Sequence, residues 1–99
     1  MQIDIRSIHF KTDKKLDDFI KEKVSKLPQY YDGVIASEII LKLANIEGAE
    51  NKIAEIKLAI PGNDLYARKQ SKSFEEATDG AVDALRRQLI KHKEKVRKV

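Results

Sequence analysis

The chain of 99 residues has no cysteine and no tryptophan, only two prolines and four glycines, and only two histidines. Without cysteine there is no disulfide, no thiolate metal ligand and no thiol nucleophile. His9 sits near a strand end with no acidic partner at a recognisable spacing, and His92 falls on an apolar helix seam, where a half-buried packing role is expected. Asp79 and Asp83 lie one helical turn apart, but two carboxylates without histidine or further acids make a poor metal site. "IPGND" has one glycine and lacks the spacing of a phosphate-binding loop. No nucleophile–base pair stands out, so neither an enzyme nor a metal, cofactor or small-molecule substrate is expected. No apolar run approaches the ~20 residues that span a bilayer. The opening "MQIDIRSIHF" alternates and carries charge, unlike a secretory signal, so a cytoplasmic location is expected.

What is present is periodic. Ile3 and Ile5 alternate with Asp4 and Arg6, as in a half-buried strand. Thr12 reads as an N-cap, and Leu16, Phe19, Ile20, Val24 and Leu27 follow as one helical stripe that Pro28 ends. "PQYYDG" reads as a connecting loop. Ile35, Ile39, Leu41 and Leu43 share one face of a second strand, and Ala54, Ile56, Leu58 and Ile60 one face of a third. "PGND" is a turn signal, and "LYARKQS" is a fourth strand with Leu65 and Ala67 inward. Ser73 and Glu76 have the spacing of a capping box that opens a long helix. Ala77, Ala81, Leu85, Leu89, His92 and Val96 run down one face of that helix. The expected fold class is α+β in the order β-α-β-β-β-α. A four-stranded sheet should carry both helices on one face and leave the other face wet.

Charge is unevenly spread. Residues 84–99 hold seven Lys/Arg and one acid, Glu94, and account for the whole formal net charge of +4. At ~100° per residue, Leu89, His92, Val96 and Val99 fall close to Leu85. Arg86, Lys93 and Arg97 occupy one flank, and Arg87, Lys91, Lys95 and Lys98 the other. Cations in a last turn suit the helix dipole, but one or two are enough for that. Arg87, Lys91 and Lys95 place like charges four residues apart, which destabilises an isolated helix and is offset by an anionic partner. A membrane-surface helix would need a broad apolar face, and here the one apolar seam is claimed by the sheet. Lysine-rich composition without a base-reading motif favours phosphate and shape recognition, as with structured RNA. Tyr30 and Tyr31 are the only adjacent aromatics. They either cap the end of the core or stack on RNA bases.

The run "DALRRQLIKHKEK", after an "E-A-x-D" helix start, resembles the short ribosome hibernation-promoting factors, also called ribosome-associated inhibitor or sigma-54 modulation proteins. The opening "MQIDIRSIHFKTDKKLDDFIKEKVSKLPQYYDGV" is similar to that family's opening as well. The resemblance covers essentially the whole chain. It implies a fold similar to a double-stranded-RNA-binding domain. It also implies binding to the small ribosomal subunit and the intact ribosome, between head and body, where the protein blocks the path of messenger RNA and of A- and P-site transfer RNA in stationary phase or stress. Basic faces of both helices would meet ribosomal RNA, through Lys23 and Lys26 at the end of the first and Arg86, Arg87, Lys91, Lys93 and Lys95 on the second. Residues 1–99 are expected to form a single ribosome-binding domain, monomeric when free, without the dimerisation domain of long family members. Two features depart from the family pattern: Glu75 stands where an aromatic is common, with Phe74 just before it, and Gly80 lies mid-helix, where it permits close packing or a bend. The remaining readings are a general structured-RNA binder and a protein-interaction module that uses the wet sheet face or an edge strand.

Overall fold

The structure, a computed structural model, describes residues 1–97, and side chains as far as Val96. The wheel positions of Arg97, Lys98 and Val99 lie outside the described side chains. The elements are β1 (Gln2–Ser7), α1 (Lys14–Val24), a 3-10 turn (Leu27–Gln29), β2 (Ala36–Leu43), β3 (Lys52–Ile60), β4 (Asn63–Ser71) and α2 (Phe74–Arg97). They form one sheet in the order β1-β2-β3-β4. β1 and β2 are parallel, joined through α1, and β2, β3 and β4 make an antiparallel meander. This is the α+β architecture expected from the alternation of the strands.

Register follows the apolar alternation. Ile5 pairs with Ile39, Ile39 with Ile56, and Ile56 with Ala67, so one row of inward side chains crosses the whole sheet. Ile20, Val24, Leu27, Ala77, Ala81, Leu85 and Leu89 close over that face and are buried. Burying a leucine-sized side chain contributes roughly 1.5–3 kcal/mol, so this layer holds both helices to the sheet. Pro61 and Gly62 form the two-residue connection between β3 and β4, and Gly62 has φ +78, which favours glycine.

Several local expectations are corrected. Asp13, not Thr12, is the N-cap of α1: its carboxylate accepts from the Leu16 amide at 2.8 Å. The Thr12 hydroxyl instead donates to Asp17 at 2.6 Å. α1 ends at Val24, one turn before Pro28, and Leu27 is buried from the 3-10 turn that opens the "PQYYDG" connection. Pro28 is the second residue of that turn, where its fixed φ suits the start of a helix. Ile35, just before β2, and Leu43, its last residue, keep the inward alternation but are 59% and 51% exposed. Conversely Ile53, on the outer face, is buried.

α2 starts as expected. The Ser73 hydroxyl accepts from the Glu76 amide at 3.1 Å, and Phe74 stacks on Phe10 with ring centroids 5.0 Å apart. That stack ties the start of α2 to the β1–α1 connection. Gly80 neither ends nor interrupts the helix. A Cβ there would come within 3.1 Å of Lys69 Cγ on β4, so its absence permits close approach of helix to sheet. Val96, expected on the packing seam, is 52% exposed. A 24-residue helix is ~36 Å long, and its last turn, exposed from Glu94 to Val96, lies beyond the packed core.

Candidate nucleic-acid interface

The basic residues singled out in the sequence divide into two groups. Lys23 lies in the last turn of α1, Lys26 just beyond it and Tyr30 at the end of the 3-10 turn. The packing of α1 against α2 brings these three to Arg86, around one cleft floored by Leu27 and Val82. Arg87, Lys91 and Lys95 lie on the other flank of α2. Gln88, on that same flank, donates to the Tyr66 carbonyl of β4 at 3.0 Å, so this flank of α2 is the one turned to β4. Lys93 shares the flank of Arg86, further along the helix. The predicted interface is therefore two cationic strips on either side of the buried seam.

Two acids shape the first strip. Asp83 accepts from Arg86 at 2.8 Å through Oδ1, and from Arg87 through Oδ2. Its carboxyl is held below the usual aspartate range, first by the Arg86 hydrogen bond and then by that of Arg87. Arg86 is correspondingly held further toward its charged form. Asp79 reaches across to Lys23 at 3.3 Å, joining the two helices. From the sequence alone neither Asp79 nor Asp83 is expected in the basic surface. Asp83 was legible there, since it stands three and four residues before two arginines. The Asp79–Lys23 pair was not, because it depends on how the helices pack.

Among the described residues, no carboxylate lies within ion-pair distance of Lys91, Lys93 or Lys95. Lys91 and Lys95 are exposed and Lys93 half-buried. The overhanging turns of α2 thus carry uncompensated positive charge, whereas Arg86 and Arg87 are pre-oriented by an internal counter-ion. The two tyrosines also separate. Tyr31 meets His92 edge-on, with ring centroids 5.0 Å apart, and a Cβ at Gly33 would collide with its ring. It packs the end of the core, as His92 does. Tyr30 is half-buried in the cleft beside the cations. Among the described residues no group of three or more His, Asp or Glu is placed to hold a metal ion, and no helix is long and apolar enough to cross a membrane.

Residues 3–97 match the family model described as sigma 54 modulation protein / S30EA ribosomal protein. A ribosome hibernation promoting factor of Klebsiella oxytoca is 32% identical over 97 residues, covering 98% of each chain. One from Pseudomonas putida is 33% identical over 95 residues, covering 96% of this chain and 89% of its own. Among solved structures, the N-terminal domain of Thermus thermophilus Protein Y superposes with a TM-score of 0.81 at 25% identity, covering 93% of this chain and 99% of that one. A ribosomal subunit interface protein of Coxiella burnetii, at 21% identity, shares the fold with a TM-score of 0.82, covering 95% of this chain and 99% of that one. With the family model matching nearly the whole length, the chain belongs to the sigma 54 modulation protein / S30EA ribosomal protein family.

Proposed function

We propose that this protein is a ribosome-associated hibernation factor. It binds the small ribosomal subunit between head and body and occupies the path of messenger RNA and of A- and P-site transfer RNA, in the cytoplasm of stationary or stressed cells. The observation that carries this reading is the uncompensated charge of Lys91, Lys93 and Lys95 on the overhang of α2, in a chain whose relatives are named for ribosome hibernation. Lysine is a compact point charge suited to phosphate, and an A-form RNA surface is recognised largely through its backbone and shape. Lys23, Lys26, Arg86 and Arg87 extend the same contact toward α1. The protein acts by occupying space, as a single domain, and needs no chemistry and no cofactor.

Sedimentation through a sucrose gradient tests this. The protein is expected with the small subunit and the intact ribosome. In a reconstituted translation assay, inhibition should be stoichiometric with ribosomes and relieved by excess initiation components. Equal binding to isolated large subunits, or inhibition far below the ribosome concentration, contradicts the reading.

A further inference from the structure

The cleft between α1 and α2 holds more than phosphate recognition requires. Lys23, Lys26 and Arg86 supply positive charge, yet Asp79 and Asp83 line the same cleft. Asp83 is spent on orienting Arg86 and Arg87, but carboxylates repel phosphate, so a site built for phosphate alone gains nothing at its wall from the half-exposed Asp79. Carboxylates are also acceptor-only groups. The cleft therefore offers cations, acceptors and, at Tyr30, Leu27 and Val82, an aromatic and aliphatic surface. Its volume of about 400 Å³ lies in the range of ~300–1,000 Å³ usual for small-molecule sites, enough for one nucleotide.

The two acids are not equivalent. Asp83 has Oδ1 on Arg86 and Oδ2 on Arg87. Asp79 has Oδ1 near Lys23 at 3.3 Å, and its side chain is half-exposed. Among the described residues its second oxygen has no hydrogen-bond or ion-pair partner, so Asp79 is the acid with acceptor capacity to spare. Guanine presents two adjacent donors, N1–H and the N2 amino group. Uracil presents one donor between two carbonyls, which a carboxylate repels.

We propose that this cleft takes one unpaired guanine nucleotide of the bound RNA. The base lies against Tyr30 and Val82, its donor edge faces Asp79, and its phosphate meets Lys26 and Arg86. The inference rests on the reading that α2 and the end of α1 meet RNA, and it makes Tyr30 and Asp79 specificity-determining. Tyr31, pinned by Gly33 and His92, takes no part.

The test is an NMR titration of the full chain with three probes at matched ionic strength: guanosine 5′-monophosphate, uridine 5′-monophosphate and inorganic phosphate. Guanosine monophosphate should shift the Tyr30 ring, Val82 and Asp79, and should bind about tenfold more tightly than uridine monophosphate, as one charge-assisted hydrogen bond allows. Inorganic phosphate should move Lys26 and Arg86 but leave the Tyr30 ring unshifted. Asp79→Asn should bring the two nucleotides close to equal without loss of folding. Equal binding of both nucleotides to the wild type, or an unmoved Tyr30 ring, overturns the proposal. Ribosome sedimentation run in parallel keeps the two readings apart. Guanine selectivity in a protein that does not bind ribosomes supports the cleft and sinks the hibernation role. Ribosome binding with no nucleotide selectivity does the reverse.

Discussion

The outer face of the sheet and the overhang of α2 are both exposed and both rich in charge, yet they are built on opposite plans. On the sheet, Arg6, Lys42, Lys57 and Arg68 are set among Asp4, Glu38, Glu55 and Asp64. Glu55 accepts from Lys42 at 2.8 Å and from Arg68 at 3.2 Å, linking three strands. Asp4 holds Arg6 at 3.0 Å, and Asp64 holds Lys57 at 3.5 Å. This face cancels its own field. The α2 overhang does not: Lys91, Lys93 and Lys95 have only Glu94 among them in sequence. A surface whose charges are matched internally needs no partner, and one with same-sign charges a turn apart is stabilised by meeting the opposite sign.

The largest expected effect sharpens the contrast between packing and charge. Leu85 and Leu89 are fully buried between α2 and the sheet. Leu85→Ala or Leu89→Ala should cost ~2–5 kcal/mol of stability, measured by denaturant unfolding. Ribosome binding of the folded fraction should keep its salt dependence. A destabilisation under ~1 kcal/mol would mean the seam is not the core contact described here.

A smaller effect is expected on the sheet. Glu55, with its side chain only 16% exposed, serves two cations. Glu55→Gln should cost about 1 kcal/mol in the same unfolding experiment, as for paired charges near a surface, and leave ribosome affinity unchanged. A large loss of affinity with folding intact would move the functional surface to the sheet and favour a protein-interaction module.

The smallest effect concerns Asp83. Its carboxyl titrates below the ordinary aspartate range because Arg86 and Arg87 hold its charged form. Its contribution to stability is therefore present above the unfolded-state value, and is lost as pH falls through the depressed folded value, below ~4. An NMR titration should show this midpoint return upward when Arg86 and Arg87 are both changed to Gln. A midpoint indifferent to those changes would remove Asp83 as the organiser of that strip.

Much of this was legible in local pattern. Period-two alternation placed Ile39, Ile56 and Leu58 inward, and Ser73 marked the start of α2. What failed did so for identifiable reasons. Thr12 and Asp13 are adjacent and both can cap a helix; what separates them is that the Leu16 amide donates to Asp13 while the Thr12 hydroxyl turns to Asp17. Leu27 continues the apolar stripe of α1 although the helix has ended, because a 3-10 turn leaves it facing the same core. Val96 keeps the period of α2, but periodicity carries no information about where the sheet beneath stops. The cationic tail was readable as composition. Its division into two strips, and the cleft that joins Lys23 to Asp79, depend on packing between residues far apart in the chain.

In the proposed function the field of α2, and not that of the sheet, binds ribosomal RNA. This is tested most directly by the slope of log affinity for small subunits against log salt concentration, in three proteins: the wild type, a Lys91→Gln/Lys93→Gln/Lys95→Gln variant and an Arg6→Gln/Lys57→Gln/Arg68→Gln variant. Each cation that neutralises a phosphate releases about one counterion, so the α2 variant should lose about two to three units of slope while the sheet variant keeps the wild-type slope. An unchanged slope in the α2 variant, or an equal flattening in the sheet variant, would contradict the account.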